Sequence, residues 1–338
     1  MIISKTPFRM SFFGGGTDYP DWYRKEGGAV LSTTIDKYCY ISCRFMQPFF
    51  NIKYKIVWSH IEAVNSIAEI LHPIVRDGLR YLDFNESLGL ELHHQGDLPA
   101  RAGAGSSSAF TVGFINAMSA LRGQSIGKHD LALKAIDFEQ NVVKEHVGSQ
   151  DQTAAAYGGF NKIVFHQNGE IVVKPVDIHD QRRSELDSRL MMFYTGIGRL
   201  ANEIAKTITP NLYKKRTTLI KMRDMVEEGV SLLESSRDLD SFGSMLNETW
   251  MLKRELSPIV SNATIDTIYD TALKSGALGG KLLGAGAAGF MVFYVPPDKK
   301  GSVRRALSQY AEIPFSFENN GSAILYDENN PRGAQRVA

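Results

Sequence analysis

A glycine- and serine-rich loop, PARAGAGSSSA at residues 99–109, carries the clearest chemical signal in the sequence. Glycines let a backbone approach an anion closely, and successive N–H groups can surround phosphate oxygens. The serines favour a helix start, whose N-terminus carries roughly half a positive charge. We predict that this loop binds nucleotide phosphates. Two alternatives are a flexible loop capped by its serines and a serine nucleophile, although Ala109 breaks the elbow pattern G-x-S-x-G.

A second glycine run, GAGAAG at residues 284–289, matches the dinucleotide-binding pattern G-x-G-x-x-G. In that motif a helix follows the glycines, whereas here the apolar segment 290–295 predicts a strand. We therefore expect a tight glycine turn, in an active site or merely in a hairpin, rather than an NAD site. The Walker pattern G-x-x-x-x-G-K-[ST] does not occur in the sequence, so nucleotide binding would need a different loop.

An acidic residue follows a third glycine run near the start of the chain, where Gly14, Gly15 and Gly16 precede Thr17 and Asp18. Small residues leave room for a ligand, and the carboxylate of Asp18 can accept hydrogen bonds from sugar hydroxyls. The alternative is that Asp18 caps the helix predicted to begin near Pro20.

Two further carboxylates lie in the segment EQNVVKEHVGSQDQTAAAYGG. Glu139 falls on a predicted helix, and Asp151 follows in a loop bordered by small residues. One carboxylate of such a pair could hold Mg²⁺ while the other acts on an attacking hydroxyl. The alternative is that both are ordinary solvated charges.

Periodicity indicates the elements that hold these residues in the first half of the chain. Strands are predicted at 2–13, 28–45 and 88–94, and the spacing of apolar residues at 64–82 predicts a helix that Pro73 should kink or divide. Further helices are predicted from about Ser106 to Gly123 and from 128 to 146. An alanine-rich turn at 152–157 and a hairpin turning at Asn168 and Gly169 complete this half.

The second half is predicted to be mainly helical. A domain boundary is expected near residue 185, in the charged stretch IHDQRRSELDSR. A strand at 190–196 follows, and the chain should end with a strand and a polar tail. The expected helices are 200–234, 239–255, 262–275 and 298–310.

Composition limits the classes of function. The chain has 338 residues, 43% of them hydrophobic, which is enough for a large core and roughly two domains. Its 38 basic and 37 acidic residues nearly cancel, so we expect neither a nucleic-acid nor a membrane partner. With no signal-peptide or membrane-spanning pattern, the expected location is cytoplasmic. Cys39 and Cys43 lie roughly 13 Å apart on a predicted strand, too far for a disulfide.

Taken in order, three segments resemble the motifs of the GHMP kinases, the family of galactokinase, homoserine kinase, mevalonate kinase and phosphomevalonate kinase. They are Thr6 to Asp18, Pro99 to Ala109 and Lys281 to Gly289. The resemblance implies an α/β (α+β) fold of two domains. The N-terminal α/β domain, residues 1–185, would hold the phosphate loop, and the C-terminal domain, 186–338, would be ferredoxin-like. The active site would lie between them.

The resemblance also implies roles for individual residues. ATP would lie on Gly103, Ala104, Gly105, Ser106, Ser107 and Ser108. Magnesium would bind Ser107 and Glu139. Asp151 would be catalytic, with Arg9 as a supporting charge. The substrate would contact Gly15, Gly16, Asp18, Arg101 and Gly286.

Within the family, segments such as SKTPFRMSFFGGGTD and QDQTAAAYGGFN look like the kinases of D-glycero-D-manno-heptose 7-phosphate. That subgroup transfers the γ-phosphate of ATP to the anomeric hydroxyl, giving the 1,7-bisphosphate for nucleotide-activated heptose synthesis. The alternatives are a kinase of another sugar such as fucose or galactose, and a relative that binds ATP without catalysis. The interpretation as an NAD-dependent oxidoreductase depends on the second glycine run alone. The sequence is compatible with a homodimer and does not decide the oligomeric state.

Overall fold

The computed structural model describes residues 1–100, 102–196, 207 and 212–328. Two antiparallel-rich sheets, each covered by helices, form the described structure, which confirms the α+β class. Its elements up to the second sheet are β1 (Ile2–Phe13), α1 (Pro20–Glu26), β2 (Gly28–Met46), β3 (Tyr54–Val57), β4 (Ile61–Val64), α2 (Pro73–Tyr81), β5 (Gly89–Gly96), α3 (Ser106–Leu121), α4 (Lys128–Asp137), α5 (Gln150–Tyr157), β6 (Phe160–Phe165), β7 (Ile171–Pro175) and α6 (Asp180–Arg189).

The remaining elements form the second sheet, its helices and the C-terminal return. They are β8 (Leu190–Tyr194), α7 (Arg216–Leu233), α8 (Asp240–Leu256), α9 (Ala263–Lys274), β9 (Gly279–Leu282), β10 (Phe290–Tyr294), α10 (Lys300–Ala306), β11 (Ala311–Glu312), β12 (Phe317–Glu318) and β13 (Ala323–Asp327).

The first sheet is built around the long strand β2. Its order is β13-β1-β2-β5-β3-β4, and the start of β2 also pairs with β6, which continues into β7. All of these pairs are antiparallel except β3 with β5. Helix α3 packs on β1 and β2 and is buried over almost its whole length, which explains why its sequence is apolar on every side.

The second sheet has the antiparallel order β11-β8-β10-β9. Helix α8 packs on β9 and β10, and it also packs against α7 and β1. Phe242 on α8 makes edge contacts with Phe12 and Phe13 of β1, so the cores of the two sheets join where β1 ends.

The C-terminal segment returns to the first sheet. Strand β13 pairs with β1, and β12 pairs with β2. The domain boundary predicted near residue 185 lies within α6 and stays a prediction. Both of these strands follow that boundary in the sequence, yet they belong to the first sheet.

Three local predictions were wrong. The segment 64–72 forms the end of β4 and a short 3₁₀ turn, because Pro73 begins α2 instead of dividing a longer helix. The helix expected to reach residue 146 ends at Asp137 and continues only as a π-helical turn to Val142. The alanine-rich turn is the helix α5, as alanine's strong helix propensity allows.

Other local predictions were confirmed. The hairpin between β6 and β7 turns at Gly169, and Cys39 and Cys43 are buried free thiols. Strand β9 was not predicted, since GGKL carries little strand character. The expected helix at 200–234 is described from Arg216 onward, and most of its first part lies outside the described residues.

The contact between the end of α5 and the C-terminal return can be tested at Gly158. Its φ is +68°, and a Cβ there would lie 2.0 Å from the carbonyl carbon of Asn320. Gly123 has a similar φ of +72° but faces open space, with no described heavy atom within 4 Å. Gly123→Ala should therefore lower the free energy of unfolding by about 1 to 2 kcal/mol, the strain of a left-handed residue alone. Gly158→Ala should lower it by roughly 1 to 3 kcal/mol more, because the Cβ would overlap Asn320 and because a ψ of 172° places Gly158 in a backbone region that only glycine adopts readily.

Urea unfolding of the two variants measures this difference. Equal losses of stability would show that the returning segment does not press against α5.

Candidate active site

An ion pair between Arg9 on β1 and Asp151 in the first turn of α5 lies at the centre of the site. Arg9 Nε donates to Oδ1 and Nη2 donates to Oδ2 of Asp151, both at 2.7 Å. The Arg9 side chain is 4% exposed and that of Asp151 is 24% exposed, so one end of the carboxylate reaches open space. The two-point contact fixes the plane of the carboxylate.

Arg9 also holds the phosphate loop, by which we mean residues 103–108. Its Nη1 donates to the carbonyl of Gly103 at 2.7 Å, and its backbone N–H donates to the carbonyl of Ala104 at 3.2 Å. A Cβ on Gly105 would lie 3.4 Å from Asp151 Oδ2. The loop therefore lies directly against the ion pair, and Arg9 joins the two.

The phosphate loop runs straight into helix α3, as the sequence predicted. Gly105 is the N-cap residue, and as a glycine it has no side chain with which to cap the helix. Ser107 is exposed there, whereas Ser108 is buried. The first turn of a helix carries backbone N–H groups without partners inside the helix and the positive end of the helix dipole, the arrangement that binds anions.

Glu139 lies in the π-helical turn after α4 and is fully buried. Its Oε2 accepts hydrogen bonds from Ser108 Oγ at 2.9 Å and from Gln152. Its Oε1 is buried and forms no hydrogen bond of normal geometry among the described residues, although the Thr111 hydroxyl lies close to the carboxylate. Burial raises the pKa of Glu139 to about 7, although the polar side chains of Thr111, Gln152 and Ser108 oppose the shift.

These residues fit a magnesium ion that also binds nucleotide phosphates. A hard cation takes oxygen ligands, and Mg²⁺ commonly combines one or two carboxylates with substrate phosphates and water. Over the described residues there is no group of three or more His, Cys, Asp or Glu that could hold a metal by itself. The Oε1 oxygen of Glu139 suits this role. The structure pairs Glu139 with Ser108, and the assignment of Ser107 stays a prediction.

Asp18 is buried near Asp151. Its Oδ1 accepts from Gly16 N at 3.0 Å, and its Oδ2 accepts from Gln150 N at 3.4 Å. Helix α1 has Tyr19 as its N-cap and receives no side-chain cap from a described residue, so the interpretation of Asp18 as its cap is wrong. Burial and the nearby charge of Asp151 raise the pKa of Asp18.

Two polar side chains, Ser11 and Gln150, lie near Gly15. Ser11 Oγ and Gln150 Oε1 are buried, and neither has a hydrogen-bond partner within the described ranges. A Cβ on Gly15 would lie 3.9 Å from Gln150 Nε2 and 4.0 Å from Ser11 Oγ. A Cβ on Gly16 would instead lie 3.2 Å from the side chain of Leu219. Gly16 therefore packs against α7.

The glycine run 284–289 packs on the phosphate loop. A Cβ on Gly284 would lie 2.5 Å from the Cα of Gly103. Gly286 faces Val260, whose carbonyl accepts from Ala287 N at 2.8 Å. Strand β10 follows the run, as predicted, so it lacks the helix of a dinucleotide fingerprint. Arg101 lies outside the described residues.

Two buried lysines were not predicted as site residues. Lys253 on α8 donates to the carbonyls of Leu282 at 2.8 Å and Gly284 at 2.5 Å. Lys281 on β9 donates to the carbonyl of Phe12 at 2.7 Å. Helical spacing could have revealed Lys253, because it continues the buried stripe of Leu246 and Trp250.

Comparison with known proteins agrees with this geometry. Family models described as the GHMP kinases N-terminal and C-terminal domains match residues 66–159 and 230–313. A D-glycero-alpha-D-manno-heptose 7-phosphate kinase of Campylobacter jejuni is 30% identical over 95% of this chain and 97% of its own length. The chain belongs to the GHMP kinases. A galactokinase of Pyrococcus furiosus is 24% identical over 94% of this chain and 95% of its own.

A solved structure of a D-glycero-D-manno-heptose 1-phosphate kinase from Bacteriodes thetaiotaomicron superimposes with a TM-score of 0.79. It is 24% identical and covers 96% of this chain and 99% of its own. The two-domain GHMP kinase fold is thereby confirmed. This family member is a sugar kinase, a phosphotransferase with an alcohol acceptor, and GHMP sugar kinases use ATP as phosphate donor. Throughout the described ranges, no helix has both the length and the apolar character to cross a bilayer.

The coupling between Arg9 and Asp151 can be measured with a double-mutant cycle. Arg9→Met or Asp151→Asn alone leaves one buried partner unpaired, whereas the double variant removes both. We expect a coupling free energy of roughly 2 to 3 kcal/mol in urea unfolding. The exposed two-point pair of Arg304 and Glu312 is the matched control, and its coupling should stay below about 1 kcal/mol. Equal coupling in the two pairs would contradict a special structural role for Arg9.

Proposed function

We propose that this GHMP kinase transfers the γ-phosphate of ATP to the anomeric hydroxyl of D-glycero-D-manno-heptose 7-phosphate, giving the 1,7-bisphosphate. The observation that carries the proposal is the position of the Arg9–Asp151 pair, which lies against the phosphate loop and close to the buried Asp18. A phosphate donor on one side and a sugar on the other would meet at Asp151. The likeness to the Campylobacter enzyme supports the choice of sugar.

The phosphate loop and the start of α3 would hold the ATP phosphates. Uncapped N–H groups at a helix N-terminus bind anions without the need for a lysine in the loop. Ser107 is exposed at this position, and Glu139 offers a buried oxygen that forms no hydrogen bond of normal geometry in the described structure. These two residues would hold Mg²⁺, which supplies charge neutralisation to the transferring phosphoryl group.

The sugar would lie beside Gly15, where several polar groups converge. Asp18, Ser11 and Gln150 offer a carboxylate, a hydroxyl and an amide. Buried polar atoms that lack partners destabilise a protein unless a ligand satisfies them. Sugar hydroxyls both donate and accept, so they would pair with all three groups.

In the transfer step, the hydroxyl oxygen attacks the γ-phosphorus and the bond to the β–γ bridging oxygen breaks, releasing ADP. Asp151 would accept a hydrogen bond from the attacking hydroxyl, since each carboxylate oxygen keeps a lone pair beside its bond to Arg9. Asp151 would either take the proton of the hydroxyl or orient the hydroxyl. In both cases its bonds to Arg9 hold the carboxylate in place before the reaction. Arg9 would add positive charge where the phosphoryl group passes.

A phosphate already on the sugar would fix the end away from ATP. Basic residues adjoin the site in sequence: Arg24 and Lys25 on α1, and Lys144 and His146 before α5. A charged hydrogen bond to phosphate contributes on the order of 1.5 to 3 kcal/mol, so two such contacts would make the preference large. A free sugar such as fucose or galactose is the alternative substrate. The cytoplasmic location, the absence of nucleic-acid and membrane partners and a homodimer stay predictions.

An ADP-release assay tests the substrate. We expect kcat/KM for heptose 7-phosphate to exceed that for free heptose, mannose, fucose or galactose by at least about tenfold, the effect of one charged contact. Asp151→Asn should lower this turnover by roughly 10²-fold or more, which shows that the activity arises at this site. Equal or better use of a free sugar would overturn the heptose phosphate assignment. ATP binding without ADP release on any sugar would favour a non-catalytic relative.

Magnesium titrations test the metal assignment. Ser107→Ala and Glu139→Gln should each raise the Mg²⁺ concentration for half-maximal activity, because each removes or neutralises an oxygen ligand. Ser108→Ala is the comparison at the neighbouring loop residue, since the buried Ser108 hydroxyl donates to the other oxygen of Glu139 and its loss should shift the titration less. A larger shift for Ser108→Ala than for Ser107→Ala would move the ligand by one residue.

A further inference from the structure

Lys253 reaches the site from the second sheet's helix α8. Its side chain is almost completely buried, and its ammonium group donates to the carbonyls of Leu282 and Gly284. These are the last residue of β9 and the first glycine of the run 284–289. Both bonds are therefore made where the second sheet passes into the glycine loop.

That loop is continuous with the transfer site through direct contacts. A Cβ on Gly103 would lie 2.6 Å from the carbonyl oxygen of Leu283, so the two backbones touch. The carbonyl of Gly103 accepts from Arg9, and Arg9 binds Asp151. A displacement of residues 282–284 would therefore be transmitted to the phosphate loop and the ion pair.

The charges around Lys253 come from four elements. Arg9 on β1 and Lys281 on β9 repel its positive charge, whereas Asp18 after β1 and Asp151 on α5 attract it. Burial and Arg9 outweigh the two carboxylates and lower the pKa of Lys253 to about 7. The group therefore lies near the balance between amine and ammonium at neutral pH.

We propose that Lys253 is a positioning residue of the transfer site, which holds residues 282–284 against the phosphate loop and takes up a proton when nucleotide phosphate binds beside it. The proposal rests on the proposed ATP site. A neutral amine can donate both hydrogen bonds without a buried charge. Phosphate at the start of α3 would favour the ammonium form, because an opposite charge stabilises it.

Proton uptake separates this role from a merely structural one. The binding enthalpy of Mg²⁺ with adenylyl imidodiphosphate, measured at pH 7.5 in buffers of different protonation enthalpy, gives the protons taken up. A group with a pKa of about 7 is roughly one quarter protonated at pH 7.5, so Lys253 can add up to about three quarters of a proton. The nucleotide's own ionisation contributes equally in every variant, and the comparison between variants removes it.

Three variants give the comparison. Lys253→Met removes both hydrogen bonds and the titration, whereas Lys253→Arg keeps the charge and loses only the titration. Lys300→Met is the matched control, since Lys300 also donates to a backbone carbonyl, that of Ser188 near the end of α6. We expect both Lys253 variants to lose the extra proton, and Lys300→Met to keep it. Lys253→Arg should retain nucleotide affinity within about threefold, and Lys253→Met should lose tenfold or more.

The pH profile gives a second readout. Since the protonated form is the one that binds phosphate, kcat/KM for ATP should fall above about pH 7 in the wild type and flatten in Lys253→Arg. Proton uptake by Lys253→Met equal to that of the wild type would overturn the inference and leave the kinase proposal intact. A folded wild type that binds no nucleotide would overturn both. If Lys253→Arg does not fold, the proton count of Lys253→Met decides alone.

Discussion

The buried ion pair between Arg9 and Asp151 is the constraint on which the site depends. It joins residues 142 positions apart, one on the first strand and one at the start of a helix. A buried guanidinium is costly unless it is hydrogen-bonded, and here the Asp151 carboxylate and the carbonyl of Gly103 accept from three of its five N–H groups. Satisfying Arg9 therefore also sets the position of the phosphate loop and the orientation of the catalytic carboxylate.

The close backbone contact between the phosphate loop and the glycine run 284–289 depends on the position that Arg9 gives to the loop. Gly103 and Gly284 approach so closely that no Cβ fits at either residue. Lys253 donates to the carbonyls of Leu282 and Gly284 at the start of the second run, and Lys281, just before that run, donates to the carbonyl of Phe12 on β1. The second sheet thus supports the phosphate loop directly, which explains how a site assembled from both halves of the chain can be rigid.

The site concentrates buried charge in a chain whose overall charge is close to zero. Burial raises the pKa of Glu139 and Asp18 and lowers that of Lys253 and Lys281. Such groups destabilise the folded protein, and they are characteristic of sites that bind charged ligands. A cation beside Glu139 and phosphate beside Lys253 would relieve both penalties, so we expect ligand binding to stabilise this protein.

Sequence by itself determined the parts of this protein whose signals are local. The glycine and serine pattern predicted the phosphate loop and the start of α3, alternation predicted β1 and β2, and an apolar run predicted β10, because turn chemistry and hydrophobic patterning act over a few residues. Tertiary structure alone decided which side chains meet. Three pairings depend on how distant elements pack: Asp151 with Arg9, Glu139 with Ser108, and Lys253 with Gly284. For the same reason, Asp18 is not the helix cap that the sequence offered as an alternative. Burial sets the charge behaviour of these groups, and burial is a property of the folded chain rather than of any segment.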